Sequence, residues 1–503
     1  MTEQNNAAQH RPEEEVRLEK LIELQSRGID AYPNEVNRTF MIGDILADFE
    51  ALQAAETTVI VDGRLLSARW HGGSAFADIQ DMSGRIQLHL RKDVLGEEWY
   101  ATMKALIDHA DFLEITGKLI VTKVGEKTIE VAAARLLAKA LRPLPEKWHG
   151  LQDIETRYRQ RELDLIANPE VRERFIVRSK LISSMRQFLD ERGFLEVETP
   201  ILQPIPGGAN ARPFITHHNA LDVDLYLRIA PELYLKRLIV GGFEKIYEIA
   251  RCFRNEGIDY SHNPEFTMME LYWAFVGKDE FIEMLEQLVT SMLQKTFGTL
   301  ELPYNDSTLN FAAPWPRKTF RETIIDACGI DIDLHKTEES LIAAVRAKNI
   351  DVDFSESTGL GECYDQLFKK TGRPAIVQPT WVFDYPLELK PLAKTHPTDP
   401  TKSASVQLVA QGAEVINAYY HELNNPVEQK NRFIEQQKLR ELGSDEAQWM
   451  DEDFVRALEH GMPPTSGVGI GIDRLTAFVT NAPNLKEVIL FPTLRPPQQQ
   501  KSE

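Results

Sequence analysis

Cysteine is scarce in this chain. Cys252, Cys328 and Cys363 are the only three in 503 residues, and they lie far apart with no CxxC pair among them. That spacing argues against a disulfide framework and against a cysteine-built zinc knuckle. There is no apolar run long enough to span a bilayer, and the start, Met-Thr-Glu-Gln-Asn-Asn, lacks the basic-then-apolar layout of a signal peptide. The expectation is a cytoplasmic protein with no membrane partner. Positive charge is not in excess either: 57 Lys and Arg face 77 Asp and Glu, a formal net charge of −20. Such a balance excludes coating of nucleic acid through bulk charge and leaves open a local, shape-selected nucleic-acid site. No internal repeat or low-complexity tract is present. What remains, 43% hydrophobic and 27% charged residues, is a globular composition with length for more than one domain.

The pattern changes twice along the chain. Residues 1–11 are polar and expected to be frayed. From Pro12 to Arg27, Val16, Leu18, Leu21, Ile22 and Leu24 recur at helical spacing and end at Gly28. From Thr57 to about Leu141, short strands broken by glycine predict a small β-barrel. The segment Leu141-Arg-Pro-Leu-Pro-Glu-Lys-Trp-His-Gly150 cannot continue a helix or a central strand and marks a boundary. The expected division is a helical extension at 1–56, a barrel at 57–142, a linker at 143–163 and a second domain at 164–503. In that last domain a helix is predicted over Asp164–Arg192, then a strand over Phe194–Pro200. The mixed order that follows suits an α+β domain on an antiparallel sheet better than repeated βαβ units.

Chemistry-bearing side chains concentrate in Arg251 to Tyr272, read as two antiparallel strands around a Gly/Asp/Ser/Asn/Pro-rich loop. Arg254 offers a planar guanidinium that can hold two oxygens of a phosphate or carboxylate. Phe266 offers a flat face for a purine, and His262 a donor for outer phosphate oxygens. A surface hairpin with salt bridges and a core phenylalanine is the plainer alternative. Gly467-Val-Gly-Ile-Gly-Ile-Asp-Arg-Leu475 reads as a glycine-flanked strand running into a helix from Leu475, with Arg474 able to meet a phosphate there. It does not match GxGxxG, and a glycine-rich core strand would look the same. Glu414 and Asn417 could offer oxygen ligands to Mg²⁺, or be solvated. Gly208, in Pro204-Ile-Pro-Gly-Gly-Ala209, precedes Ala230-Pro-Glu-Leu-Tyr234, where Glu232 either selects an ammonium group or caps a helix.

Together these segments resemble the class II aminoacyl-tRNA synthetases, and closely the lysyl enzymes of subclass IIb in their bacterial form. The resemblance runs from about residue 12 to 496. Phe194-Leu-Glu-Val-Glu-Thr-Pro200 is similar to the family's motif 1, Phe253-Arg-Asn-Glu256 through Tyr272 to motif 2, and Gly467 to Leu475 to motif 3. Aspartyl and asparaginyl enzymes share this layout. The stretches 209–219, 230–236 and 263–272 are similar to the lysyl enzymes, and acidic Glu232 and Glu270 suit a cationic substrate, where an aspartate pocket would need a cationic residue.

The resemblance implies attack of the lysine carboxylate on the α-phosphorus of ATP, then transfer of the lysyl group to tRNA(Lys). It implies an ATP site of Arg254, Glu256, His262, Asn263, Phe266, Glu414 and Arg474, with Arg254 and Arg474 catalytic. The implied lysine site is Gly208, Glu232, Arg254, Glu270, Tyr272, Asn417, Tyr419 and Glu422. Further implications are Mg²⁺ on Glu414 and Gln407, an OB-fold barrel reading the anticodon with Arg64, Phe76 and Gln87, and a homodimer through motif 1. Phe76 could instead be plain barrel core.

Two departures bear on those assignments. Where the family has Arg-Phe-Glu before its metal-binding glutamate, this chain has Ser405-Val-Gln407, a neutral amide for a carboxylate. Asn417-Ala-Tyr-Tyr-His-Glu-Leu-Asn424 is one residue longer than the family pattern. On a strand one extra residue turns the following side chains over, which puts Glu422 in question. A regulatory paralogue that binds tRNA or lysine with reduced catalysis, and lysine transfer to a protein acceptor, are the competing readings.

Overall fold

The computed structural model describes residues 12–144, 151–260, 262–355, 357, 359–441 and 447–496. The polar start at 1–11 and the end of the boundary segment at 145–150 lie outside them. The chain forms two compact units, Met1–Gln152 and Asp153–Glu503. Among the described residues no helix is long and apolar enough to cross a membrane.

In the first unit, helix α1 (Glu13–Ser26) occupies the expected span and buries Leu21 and Leu24. Strands β1 (Thr58–His71), β2 (Ser74–Gln80), β3 (Arg85–Arg91), β4 (Phe112–Val121) and β5 (Lys127–Ala138) close into a barrel in the order β1-β2-β3-β5-β4. Alternation sets which residues fill it: Val59, Val61 and Leu65 of β1, with Ala75, Ala77 and Ile79 of β2, are buried, and the residues between them face out. Where β4 crosses β5, a Cβ at Gly117 would stand 2.3 Å from the Glu130 carbonyl oxygen, so only glycine fits.

The second unit takes in helix Ile154–Arg159 and the first three residues of α2 (Arg161–Ala167), which the sequence reading assigns to the linker at 143–163. The single helix expected over 164–192 is two, α2 and α3 (Pro169–Asp190). Pro169 forces the break, because it has no N–H to donate and its ring keeps Asn168 out of the helical region; it then serves as the first residue of α3. The strand expected over 194–200 shrinks to β6 (Leu195–Glu196), followed by a Val197 N–H bond to the Tyr247 carbonyl and a Thr199 hydroxyl bond to Glu248.

Helix α4 (Glu232–Val240) precedes strands β7 (Lys245–Phe253) and β8 (Glu265–Ala274), which pair antiparallel around the loop as the sequence predicts. Helix α5 (Lys278–Phe297) and strands β9 (Arg317–Thr319), β10 (Thr380–Phe383), β11 (Ser405–Ala410), β12 (Ala413–Tyr419) and β13 (Thr465–Gly471) follow, then helix α6 (Ile472–Val479). The eight-stranded sheet has the order β9-β10-β11-β12-β13-β8-β7-β6. It is antiparallel except at its two edges, where β6 pairs with β7 and β9 with β10 in parallel. This is the expected α+β class.

One face of the sheet is closed by α3 and α5. Leu181 and Met185 with Phe281, Leu285, Leu288 and Met292 pack against Met269, Leu271 and Ile470 in a single cluster. Each such side chain contributes roughly 2 kcal/mol by leaving water. Because successive strand residues alternate, the same strands present Phe266, Met268, Glu270 and Tyr272 to the other face. That face holds the site.

Candidate functional site

Register builds the site. Antiparallel pairing of β8 with β13 sets Met268 opposite Gly471, Glu270 opposite Gly469 and Tyr272 opposite Gly467. Three alternate glycines thus lie beside three functional side chains and leave space above the sheet. At Gly467 the space is already claimed: a Cβ there would stand 2.1 Å from Glu422 Oε1 and 2.6 Å from Tyr272 Cε1. Pairing of β12 with β13 sets Asn417 opposite Gly469, and pairing with β11 sets Gln407 opposite Asn417.

Glu414 and Asn417 are three apart, which in a regular strand would put them on opposite faces. The register shifts between Leu408 and Val409, which oppose Ile416 and Glu414, leaving Val415 as an extra residue. This bulge brings both side chains to the site face.

Two cavities result. The first, about 210 Å³, is lined by Arg254, Glu256, His262, Phe266, Glu414 and Arg474, with Asn263 at its wall. The Arg254 guanidinium lies 4.9 Å from the centre of the Phe266 ring, and its buried Nε has no hydrogen-bond partner among the described residues. His262 Nδ1 is 2.8 Å from Asp259 Oδ2. The Asn263 amide is engaged within the protein, donating to the Glu265 carbonyl and accepting from Thr493 N–H. Helix α6 begins at Ile472, three residues earlier than the pattern suggests, so Arg474 sits in its first turn. Asp473 anchors that turn: Oδ2 accepts from the Thr267 N–H at 2.9 Å, and Oδ1 lies 2.5 Å from Arg178. Its role escapes a reading of the sequence because Arg178 is remote in the chain.

The second cavity, about 270 Å³, is lined by Gly208, Glu232, Glu270, Tyr272, Tyr419 and Glu422. Arg254, Met268, Asn417 and Gly469 line both cavities, so the two meet there. Gly208, at φ +89°, passes so close to α4 that a Cβ would meet Glu232 Cβ at 2.9 Å. Glu422 reaches the cavity despite the extra residue. The strand ends at Tyr419, Tyr420 turns away to donate to Asp384, and the Glu422 N–H bonds the Thr465 carbonyl at 2.8 Å. With no pleat beyond Tyr419, nothing carries the inversion forward.

Three carboxylates crowd this pocket, and one cation already sits among them. The fully buried Lys236 ammonium is 2.6 Å from Glu232 and 2.7 Å from Glu422. Glu232 and Lys236 stand one helical turn apart, a spacing visible in the sequence but not singled out there. Two carboxylates hold Lys236 charged, its pKa raised although burial opposes the charge. Glu270 has no such partner; its carboxyl accepts from Tyr272 Oη at 3.1 Å, and burial, then the charge of Glu232, pushes its pKa well up. Burial likewise raises the phenols of Tyr272 and Tyr419.

Gln407 lines neither cavity. Its Oε1 accepts from Tyr385 Oη at 2.6 Å and its Nε2 donates to Asn417 Oδ1 at 3.3 Å. A Mg²⁺ site shared by Glu414 and Gln407 therefore does not fit these residues: one carboxylate faces the cavity and the amide oxygen is already in use. No group of three or more metal-binding side chains gathers among the described residues.

In the barrel, Phe76 stacks on His89 with centroids 4.7 Å apart and planes at 12°. It points outward, since Ala75 and Ala77 take the interior, and the core reading of Phe76 does not hold. Gln87 shares that outer face and accepts from the Thr128 hydroxyl. Arg64 lies over Phe112, 4.3 Å from its ring centre, and burial lowers its pKa. His89 and Arg69, both paired opposite Phe76 in the register, are the additions that alternation along β1 and β3 could have supplied.

Residues 153–495 match the model of the family described as tRNA synthetases class II (D, K and N), and residues 59–137 match that of an OB-fold nucleic acid binding domain. Among curated proteins, the chain is similar to a lysine--tRNA ligase of Carboxydothermus hydrogenoformans, 49% identical over 96% of this chain and 97% of the relative. It is similar to one of Roseiflexus castenholzii, 50% identical over 95% of this chain and 98% of the relative. A third, of Pelotomaculum thermopropionicum, is 48% identical over 96% and 94%.

Proposed function

Since the chain belongs to the class II tRNA synthetases of the D, K and N group, we propose that it is a lysine--tRNA ligase, joining L-lysine to tRNA(Lys) through a lysyl-adenylate. The observation that carries the reading is the second cavity. Glu232, Glu270 and Glu422 are all buried, Lys236 pairs with Glu232 and Glu422 but not with Glu270, and the pocket opens beside Arg254. Such a pocket favours a ligand with two ammonium groups and penalises a side-chain carboxylate.

In this reading the lysine ε-ammonium enters between Glu270, Tyr272 and Glu422, and its α-ammonium meets Glu232 beside Gly208. The carboxylate then lies near Arg254. ATP fills the first cavity, with adenine on Phe266 and the outer phosphates toward His262 and Arg474. A lysine carboxylate oxygen attacks the α-phosphorus, the bond to the bridging oxygen breaks, and pyrophosphate leaves toward Arg474. Arg254 stabilises the charge that develops on the α-phosphoryl oxygens; its buried Nε, without a hydrogen-bond partner among the described residues, is suited to that. The tRNA 3′-terminal hydroxyl next attacks the lysyl carbonyl, and AMP departs. A Mg²⁺ ion accompanying ATP would find Glu414 and Glu256 among the carboxylates lining the first cavity and would add positive charge beside the phosphates.

The outer face of the barrel, with Phe76, Gln87 and Arg64, is suited to reading an anticodon by stacking and edge contacts. A cytoplasmic homodimer completes the proposal; exposed Leu195, Ile201, Leu202, Ile215 and Val223 around motif 1 support the pairing. Lysine-dependent exchange of pyrophosphate into ATP, with lysyl transfer to tRNA, is the test. Equal exchange with aspartate or asparagine, or none with lysine, would overturn the assignment.

A further inference from the structure

Lys390 is a cation with no salt bridge among the described residues, although Glu414 and Asp365 lie near enough to favour its charge. It lines the second cavity, and its Nζ donates to Asn417 Oδ1 at 3.0 Å. Beyond that bond it has the Tyr385 ring, 5.2 Å away, and no carboxylate within ion-pair distance among the described residues. An ammonium has three donors, and an amide oxygen and an aromatic face compensate little of its charge. Its neighbours are arranged to leave it so. Tyr385 fixes Gln407, and Gln407 donates to the same Asn417 oxygen that Lys390 uses. A carboxylate in place of Gln407 would lie within Coulomb reach of Lys390 and neutralise it. Asn417 belongs to both cavities, so this positive charge is held where they meet, with Arg254 also at the junction.

Resting on the proposed lysine- and ATP-dependent reaction, we propose that Lys390 is a built-in catalytic cation. Together with Arg254 it holds the negative charge that concentrates where the amino-acid carboxylate meets the α-phosphate. The protein thereby supplies, from a side chain, charge that a divalent ion bound between positions 407 and 414 would otherwise provide, and the neutrality of Gln407 keeps that side chain available. No bond to Lys390 forms or breaks; the reaction balances as written above, and Lys390 acts in its protonated form, which burial disfavours and Glu414 favours.

The test uses the full-length enzyme and Lys390→Met, Lys390→Arg, Gln407→Glu and Gln407→Glu/Lys390→Met. Lys390→Met should lower kcat of lysine-dependent exchange by roughly 100-fold or more, the loss expected for one transition-state charge contact. Its KM for ATP should change by less than about 5-fold and its melting temperature should hold. Lys390→Arg should recover at least about a tenth of the activity, because charge rather than shape is needed. Binding of Mn²⁺ by electron paramagnetic resonance, with a non-hydrolysable ATP analogue present, gives a readout independent of turnover. The double variant should bind one ion more per chain than the parent. The inference fails if Lys390→Met turns over within about 3-fold of the parent, or if parent and double variant bind equal Mn²⁺. Absence of lysine-dependent exchange in the parent itself would instead sink the functional reading.

Discussion

A methyl group at Gly467 should damage lysine binding selectively. Gly467→Ala places a carbon 2.1 Å from Glu422 Oε1 and 2.6 Å from Tyr272 Cε1, both far inside van der Waals contact. The strand cannot retreat, because β13 is hydrogen-bonded on both sides, to β12 and β8. Glu422 must therefore give way, and with it the 2.7 Å contact to Lys236 and the carboxylate offered to the substrate ammonium. Losing one charge-assisted contact costs about 2–3 kcal/mol, which is a rise of roughly 30- to 150-fold in KM for lysine. Overpacking costs about 1–3 kcal/mol of stability besides. Steady-state exchange with lysine and ATP varied separately reads the first effect and calorimetry the second. ATP KM should stay within about 3-fold, since Gly467 lines only the second cavity. Gly469→Ala is the milder comparison at a position lining both cavities: its Cβ would meet Met268 Cε at 3.2 Å, the mobile end of a flexible side chain, and the Asn417 carbonyl oxygen at 4.0 Å. Equal lysine KM for the two variants, or an ATP defect as large as the lysine defect, would refute the steric argument.

Lysine binding should release protons. Burial and neighbouring Glu232 keep the Glu270 carboxyl protonated well above the usual range, while an arriving ε-ammonium favours its ionised form. Lysine affinity therefore rises as pH climbs through the free-state pKa of Glu270, and falls below it. Titration calorimetry in buffers of different ionisation enthalpy measures the proton count; zero release would contradict the assignment of Glu270 to the substrate ammonium. Phe76→Ala should raise KM for tRNA(Lys) by roughly 5- to 150-fold, the value of one base stack, and leave lysine-dependent exchange unchanged. Ile79→Ala, from the barrel interior, should instead cost about 2–5 kcal/mol of stability, which thermal unfolding of the barrel would register. Arg254→Lys, which loses the planar fork over Phe266, should lower kcat by about 100-fold or more in single-turnover adenylate formation, with the fold unaltered.

What the sequence reveals about this site is its side chains more than their arrangement. Alternation along 265–274 and 465–471 is enough to place Phe266, Glu270 and Tyr272 on one face beside glycines, because a strand has a fixed period. The same logic separates Phe76 from the barrel core once Ala75 and Ala77 are taken as interior. It fails wherever the period is interrupted. Pro169 splits one helical pattern into two, and the chain leaves the sheet after Tyr419, so the extra residue has no pleat to invert. It fails also for pairings between distant segments: Asp473 with Arg178, Lys236 with Glu422, Lys390 with Asn417. Nothing local announces those partners; only the fold makes them neighbours.

The bulge at Val415 divides strand β12 into two reading frames. Ahead of it the even-numbered Glu414 lines the first cavity; beyond it the odd-numbered Tyr419 lines the second, and Asn417 lines both. A substitution at Glu414 or Tyr419 therefore acts on one cavity alone, whereas one at Asn417 reaches both. Removing Val415 would leave Glu414 and Asn417 two apart in an unbroken strand, still on one face, and would take away only the local bend and twist that the bulge adds. A single supernumerary residue thus lets one strand serve two adjoining cavities.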